Sequence, residues 1–114
     1  MTTVTEAFEY FAEVLSKRYD LAVRVTDVYK FNIKQGKKTM TWTMDLTKRE
    51  VYQGNVANPD CTLTAKEPDF LSLILGRENA NAMYFNGKIK LIGDQNAQMR
   101  MFQVIRQMAV PSNL

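Results

Sequence analysis

The strongest constraint on the fold of this chain is a period-two alternation of apolar and polar residues between positions 28 and 46. In the first half, Tyr29, Phe31 and Ile33 alternate with lysine and asparagine, and in the second half methionine, tryptophan and leucine alternate with threonine and aspartate. A turn at Gly36 separates the two runs. Because successive side chains of a strand point to opposite faces, the pattern predicts an antiparallel hairpin with one apolar and one polar face. The apolar face then requires a second layer to cover it.

Segments with helical spacing of apolar residues can supply this second layer. Thr3 and Glu6 form a capping-box pattern at the start of a helix predicted over residues 3–18. Pro68 and Gly76 bracket a second helix in the order expected for helix ends. The remaining predicted elements are a connector at 20–27, strands at 51–53, 61–65 and 88–93, a short helix at 79–85 and a last helix at 94–109.

These elements predict one α+β domain over residues 1–114, in which helices pack on one face of a five-stranded, mostly antiparallel sheet. No apolar run approaches the ~18 residues needed to span a bilayer, and the N-terminus lacks the pattern of a signal peptide. We therefore expect a cytosolic chain that is not secreted. The net charge of +3 is too small to indicate nucleic-acid binding, but it is compatible with transient contact with an anionic membrane.

The composition argues against catalysis, because the chain contains no histidine and a single cysteine, Cys61. The commonest general base and the commonest zinc ligand are therefore missing, and a Ser-His-Asp triad cannot form. We expect no metal, no cofactor and no enzymatic activity. An acyl-CoA hydrolase would have to use a poised carboxylate, for which the candidates are Asp27, Asp45, Asp60 and Glu67.

Three segments resemble, in the same order, motifs of the sterol carrier protein type two family. They are VYKFNIKQGKKTMTWTMDL, with its Trp-x-x-Asp-Leu strand, PDCTLTAKEPDFLSLILGR, in which a strand leads into a Phe-Leu-x-Leu helix, and NAMYFNGKIKLIGD, which precedes the last helix. The resemblance implies a hydrophobic tunnel between the sheet and the helices. It also implies a carrier that binds long-chain fatty acids, acyl-CoA, sterols or phospholipids.

The chain departs from this family at two places. Where the last helix of the family commonly reads Lys-Leu-Gln, this chain has Arg100-Met101-Phe102. An inward Phe102 would remove a polar contact and make the tunnel more apolar. The final tripeptide, Ser112-Asn113-Leu114, matches a peroxisomal Ser-Lys-Leu address at two of three positions, so a peroxisomal location is the alternative to a cytoplasmic one.

The implied tunnel assigns a lining role to the apolar side chains on the facing sides of sheet and helices. These are Phe11, Leu15, Phe31, Ile33, Trp42, Met44, Leu63, Phe70, Leu71, Ile74, Leu75, Met83, Phe85, Ile89, Leu91, Met101, Phe102, Ile105 and Met108. Arg18 and Arg24 are the candidates for binding an anionic headgroup, since a guanidinium can hold a carboxylate or phosphate with two hydrogen bonds. The alternative is that Arg18 covers the core with its aliphatic stem and keeps its charge in water.

Composition alone leaves one further function open. The seven methionines suit an adaptable lipid lining, but they suit equally a groove that binds another protein. A protein-interaction or dimerisation module without lipid capacity is therefore the competing hypothesis. For the lipid carrier we expect a monomer, with a dimer as the alternative.

Overall fold

The structure is a computed structural model that describes residues 2–108 and 110–111. In chain order the elements are α1 (Val4–Lys17), α2 (Tyr19–Arg24), β1 (Val28–Gln35), β2 (Lys38–Asp45), β3 (Glu50–Gln53), β4 (Cys61–Lys66), α3 (Glu67–Ile74), α4 (Ala80–Phe85), β5 (Ile89–Gly93) and α5 (Gln95–Gln107). The α+β class and the five-stranded sheet that the sequence predicts are both confirmed.

The sheet has the strand order β3-β2-β1-β4-β5. Three of its pairings are antiparallel, and the central pairing of β1 with β4 is parallel. Residues 54–60 make this arrangement possible because they carry the chain past β2 and β1. This connector is anchored at Gly54, whose N–H donates to the Thr41 carbonyl over 2.9 Å, and at Asp60, whose N–H donates to the Val28 carbonyl over 2.8 Å.

The apolar face of the sheet is the one that the alternation predicts. Tyr29, Phe31 and Ile33 of β1 are fully buried, and Phe31 lies opposite Trp42 of β2. The helices cover this face: α1 packs on the β3 side, α3 on β1 and β4, and α4 and α5 toward β5. The polar side chains of the same strands point to the other face. One of them, Thr43, is buried there and donates to the Gly54 carbonyl over 2.8 Å.

Helix α1 begins with the predicted capping box. The Thr3 hydroxyl accepts from the Glu6 N–H over 3.1 Å, and the Glu6 carboxylate accepts from the Thr3 N–H over 3.0 Å. These bonds hold the pKa of Glu6 below its usual value. The prediction of a plain connector after α1 is wrong, because α2 forms within it. Leu21 is buried against the core, and this tertiary contact stabilises a helix too short to persist alone.

Candidate functional site

A cavity of about 370 Å³ lies between the end of α3, the start of α4 and the side of α5. This volume falls within the range of small-molecule pockets. Aliphatic and aromatic side chains line it together with three polar residues, Glu78, Asn79 and Arg106. The lining residues are Leu73, Ile74, Leu75, Gly76, Glu78, Asn79, Ala80, Phe102, Ile105, Arg106 and Val110.

Local sequence explains the shape of this first cavity. Helix α3 ends at Ile74 with Leu75 as its C-cap, and Gly76 follows with a φ of 71°, a left-handed conformation that glycine adopts without strain. The chain therefore turns away before α4 begins and leaves a gap beside α5. Phe102 and Ile105 are three residues apart on α5, so both point to this gap.

A second cavity of about 240 Å³ lies on another side of α5, against α2. Its floor is apolar, and arginine and glutamine side chains surround it. The lining residues are Leu21, Arg24, Val25, Arg100, Gln103, Val104 and Gln107. The adjacent residues Val104 and Ile105 line the second and the first cavity respectively, so α5 is a wall that the two cavities share.

The Arg100 side chain at the second cavity is held by a buried carboxylate. Its Nε and Nη2 donate to the two oxygens of Asp27 over 2.7 and 3.1 Å, and the Tyr29 hydroxyl donates to Asp27 Oδ2 over 2.8 Å. The bond to Asp27 raises the pKa of Arg100 above its ordinary value. Burial, followed by the bond to Asp27, raises the pKa of Tyr29. Both partners of Asp27 are therefore kept protonated, and the guanidinium is fixed in position.

The two predicted headgroup arginines lie in different surroundings. Arg18 binds Asp20 through Nε and Nη2, over 2.8 and 2.7 Å, and also contacts the carbonyl and side chain of Gln107. The hydrogen bond from Arg18 lowers the pKa of Asp20 to about 2. Arg18 thus links α1 to the end of α5 and lines neither of these cavities. Arg24 is exposed and lines the second cavity beside Arg100.

The predicted lining residues divide into three groups. Four of them, Ile74, Leu75, Phe102 and Ile105, line the first cavity. Phe85 is 83% exposed and does not face the interior. The rest are wholly or partly buried in the core, namely Phe11, Leu15, Phe31, Ile33, Trp42, Met44, Leu63, Phe70, Leu71, Met83, Ile89, Leu91, Met101 and Met108.

The position of Phe85 follows from the geometry of a short helix. Met83 points inward from α4 and is buried, and Phe85 follows two residues later. Two residues correspond to about 200° of rotation around a helix, so both side chains cannot face the core. The alternating pattern of β5, the strand that follows α4, gave no indication that Phe85 points to solvent.

Aromatic packing fills the region beneath α1. The Phe8 ring stacks on Trp42 at 4.7 Å between centroids and on Phe70 at 5.3 Å, and it meets Phe31 edge-on at 5.2 Å. Phe8 was not among the predicted lining residues. The sequence signal for Phe8 was its place in the apolar stripe of α1. The packing of its ring makes this part of the interior a filled core.

Cys61 is a buried filler of the interior. Its Sγ lies 3.9 Å from the sulfur of Met101, and burial raises the pKa of the thiol to about 11. The thiol is therefore protonated at neutral pH and unsuited to act as a nucleophile.

The four carboxylates considered for hydrolysis have structural partners. Asp27 is bound by Arg100 and Tyr29, as described above. Asp60 Oδ2 accepts from the Val28 N–H over 2.7 Å, Asp45 Oδ1 accepts from the Lys48 N–H over 3.1 Å, and Glu67 Oε2 accepts from the Gln35 amide over 2.6 Å. Each therefore fixes a strand end or a turn, and none of the four lines either cavity beside α5.

This geometry defines the class of protein. It is an α+β domain whose helices cover one face of the sheet, with cavities on two sides of the last helix. The sequence profile of the SCP-2 sterol transfer family matches residues 8–106. The chain therefore belongs to the SCP-2 sterol transfer family, which confirms the resemblance drawn from the three motifs.

Individual relatives agree with this assignment. Human sterol carrier protein 2 is 30% identical over 82 residues, which are 68% of this chain and 15% of the human protein. The apo structure of sterol carrier protein 2 from Yarrowia lipolytica superposes with a TM-score of 0.80 at 21% identity, over 93% of this chain and 91% of that one. Palmitated SCP2L2 from Aedes aegypti gives a TM-score of 0.69 at 27% identity, over 91% and 95% of the two chains. The chain spans only 15 to 20% of the length of the first curated relatives it matches.

Proposed function

We propose that this chain is a non-enzymatic lipid carrier that holds fatty acids, fatty acyl-CoA or sterols in an apolar tunnel beneath α5. The observation that carries the proposal is the cavity of about 370 Å³ beside α5, lined by aliphatic, aromatic and polar residues, in a member of a sterol transfer family. Palmitate in the related SCP2L2 of Aedes aegypti supports an acyl chain as the ligand. Each CH₂ removed from water is worth ~0.8 kcal/mol, so enclosing a 16-carbon chain offsets roughly 12 kcal/mol.

The tunnel forms when the two cavities join under α5. Met101 is buried on this helix and Met108 is buried at its C-cap, next to the residues that line the cavities. Methionine is unbranched and repacks at low cost, so an entering chain can displace these side chains without breaking the helix. The other predicted lining residues in the core then border the enlarged space.

Arg24 is the headgroup residue in this proposal. It lines the second cavity beside Arg100, which Asp27 already holds in place. A ligand carboxylate or phosphate at this position meets two guanidinium groups and two glutamine amides. Arg18 contributes only if it releases Asp20, and we assign it the lesser role.

The absence of catalysis, the cellular location and the oligomeric state are parts of the same proposal. The four candidate carboxylates are bound to structural partners, which supports a carrier rather than a hydrolase. A cytoplasmic monomer is proposed, with the peroxisome as the alternative location. One relative is named a peroxisomal multifunctional enzyme, whereas Ser112-Asn113-Leu114 lies outside the described residues, so its targeting role stays a prediction.

The test is displacement of a fluorescent fatty acid, together with native mass spectrometry of co-purified lipid. Leu75 is half-buried in the wall of the first cavity, so Leu75→Glu places a carboxylate where the acyl chain lies. We expect the affinity for palmitate to fall at least about tenfold, because a charge in an apolar cavity costs more than ~1.4 kcal/mol.

Met99→Glu is the matched control, since Met99 lies exposed on α5 and outside the cavity walls. This variant should bind palmitate as the unmodified chain does. If the unmodified chain carries no lipid and binds neither fatty acid, acyl-CoA nor sterol, the carrier proposal fails and the protein-interaction hypothesis takes its place. Equal affinities for Leu75→Glu and Met99→Glu would place the ligand elsewhere.

A further inference from the structure

Two aromatic side chains project from the end of α4 into solvent. Phe85 is 83% exposed and Tyr84 is 42% exposed, and their rings meet edge-on at 5.7 Å between centroids. Most large apolar side chains of the described residues are buried, so a pair of exposed aromatic residues at one tip is unusual here. We call Tyr84 and Phe85 the aromatic tip.

Lysines lie on one side of this tip, because several strands end next to Asn86 and Gly87, which follow it. Lys34 of β1 pairs in parallel register with Lys66 of β4, and Lys88 directly precedes β5. The end of α4 brings Lys88 close to the tip. The Gly87 N–H donates to the Tyr84 carbonyl over 3.2 Å and the Lys88 N–H donates to the Met83 carbonyl over 2.9 Å, which closes the helix in a tight turn.

The lysines form the wall of a shallow concavity of about 340 Å³ next to the aromatic tip. Lys34, Lys66, Lys88 and Lys90 line it, and Lys37 and Lys38 lie in and after the hairpin turn at the same end of the sheet. The carboxylates at this end are fewer: Asp69 in the wall, Glu67, which accepts from Gln35, and Glu78, which pairs with Lys88 over 2.5 Å. Six lysines against three carboxylates leave this end of the molecule positively charged.

The opposite end of the sheet carries no such excess of positive charge. Five carboxylates lie at or next to the other ends of the strands, and the cations near them are Lys48, Arg49, Arg100, which is bound to Asp27, and Arg24, which lies beside Arg100 in the second cavity. These carboxylates belong to Asp27, Asp45, Glu50, Asp60 and Asp94. The charge is therefore arranged along the strands, and an anionic surface would orient the molecule with the α4 end toward it.

We propose that the aromatic tip and the lysines beside it are the surface by which this protein docks on an anionic phospholipid bilayer. Lysines attract anionic headgroups electrostatically, and aromatic rings favour the boundary between headgroups and acyl chains. Helix α4 also lines the lipid cavity with its first residues, Ala80 and its cap Asn79. Docking through the last residues of this helix places the cavity mouth close to the membrane. The inference rests on the proposed lipid-carrier function for its purpose, but its geometry stands on separate residues.

The experiment measures co-sedimentation with vesicles of phosphatidylcholine and phosphatidylserine in a three-to-one ratio, and with vesicles of phosphatidylcholine alone. Phe85→Ala should lower the partition coefficient on the mixed vesicles about tenfold, because the Phe85 ring makes apolar contact with the membrane that alanine lacks. The double variant Lys66→Glu and Lys90→Glu should lower it by at least about tenfold. Binding of the unmodified chain should weaken on pure phosphatidylcholine and at high salt.

The controls remove an aromatic ring and reverse two lysine charges elsewhere on the surface. Tyr52→Ala removes an aromatic ring that is 40% exposed on β3, at the opposite edge of the sheet. The double variant Lys17→Glu and Lys48→Glu reverses two exposed lysines away from the tip. Both controls should bind vesicles within about twofold of the unmodified chain. If the unmodified chain binds neither kind of vesicle, or if Phe85→Ala and Tyr52→Ala bind alike, the docking surface is wrong.

Failure of docking and failure of the carrier function are separated by palmitate binding without vesicles. Phe85→Ala should bind palmitate normally, because Phe85 lies outside the cavity walls. A chain that docks through the tip but binds no lipid in solution would contradict the carrier proposal alone. A chain that binds palmitate and docks equally well without Phe85 would contradict the docking surface alone.

Discussion

At the scale of single residues, the indole of Trp42 combines a good packing arrangement with an unmet polar requirement. Its ring stacks on Phe8 with only 5° between the planes. Its N–H is buried, and no acceptor lies within hydrogen-bonding distance among the described residues. A buried donor without an acceptor costs about 1–3 kcal/mol. The ring therefore stabilises this core while its nitrogen works against it.

Replacing Trp42 separates these two contributions. Trp42→Phe keeps an aromatic ring against Phe8 and removes the unpaired N–H, so we expect the free energy of unfolding to change by less than about 1 kcal/mol in either direction. Trp42→Ala removes the stack as well and should cost about 3–5 kcal/mol. Urea denaturation followed by circular dichroism measures both values. A loss for Trp42→Phe as large as that for Trp42→Ala would mean that the indole N–H does have a partner.

The charged residues show how far single positions can be inferred from sequence. The sequence marks Arg18, near the end of α1, and Arg24, in the connector after it, as candidate headgroup cations, and it does not show which of them is held by another side chain. The structure distinguishes them through Asp20, which lies two residues after Arg18 and holds its guanidinium. Arg100 belongs to the last helix, and its contact with Asp27 spans 73 residues of sequence. Such a contact leaves no local pattern, so sequence reasoning missed it.

At the scale of elements, long periodic segments were predictable and short ones were not. The β1–β2 hairpin and α1 repeat their pattern over many residues, and both form within one residue of the expected bounds. Helix α2 contains only six residues, and a distant core contact decides its conformation. Helix α4 was predicted, but the direction of Phe85 was not, because one turn and a half has too few positions to define a face.

The join between β4 and β5 depends on a glycine. Gly93 lies opposite Cys61 with a φ of 142°, and a Cβ atom there would come within 2.9 Å of Cys61 Cα. We expect Gly93→Ala to lower the free energy of unfolding by about 2–4 kcal/mol, because the neighbouring atoms are backbone and cannot rotate away.

Gly87→Ala is the control for backbone strain alone. Gly87 also has a positive φ, 76°, but a Cβ atom there meets nothing within 4 Å. This variant should lose only about 1 kcal/mol. Thermal unfolding of both variants gives the comparison, and equal losses would show that the close approach to β4 contributes nothing.

At the scale of the whole molecule, the sequence identified the layers but not the spaces between them. The alternation in β1 and β2 and the stripes of the helices determine which faces meet, so most predicted lining residues are indeed interior. The cavities arise where helices diverge, at the turn after Leu75 and beside α2, and such gaps depend on the packing of distant segments. Leu73 and Val110 line the first cavity and were not predicted. Leu73 lies three residues after Phe70 on the buried side of α3, and Val110 follows the end of α5.

The parallel pairing of β1 with β4 also sets the order in which the molecule can assemble. Strands β1, β2 and β3 join through short local turns, whereas the pairing across β1 and β4 joins Val28 to Asp60, 32 residues away. Closing a longer loop costs more entropy before any contact compensates for it. We expect the three-strand meander to form in the transition state for folding and β4 to dock afterwards.

Stopped-flow refolding followed by Trp42 fluorescence tests this order. Met44→Ala in β2 should slow refolding, whereas Leu63→Ala in β4 should mainly accelerate unfolding. The reverse partition would mean that β4 docks first. If the order holds, a chain emerging from the ribosome exposes the unpaired edge of β1 until residues 61–66 have been synthesised. This interval is when aggregation competes most strongly with folding.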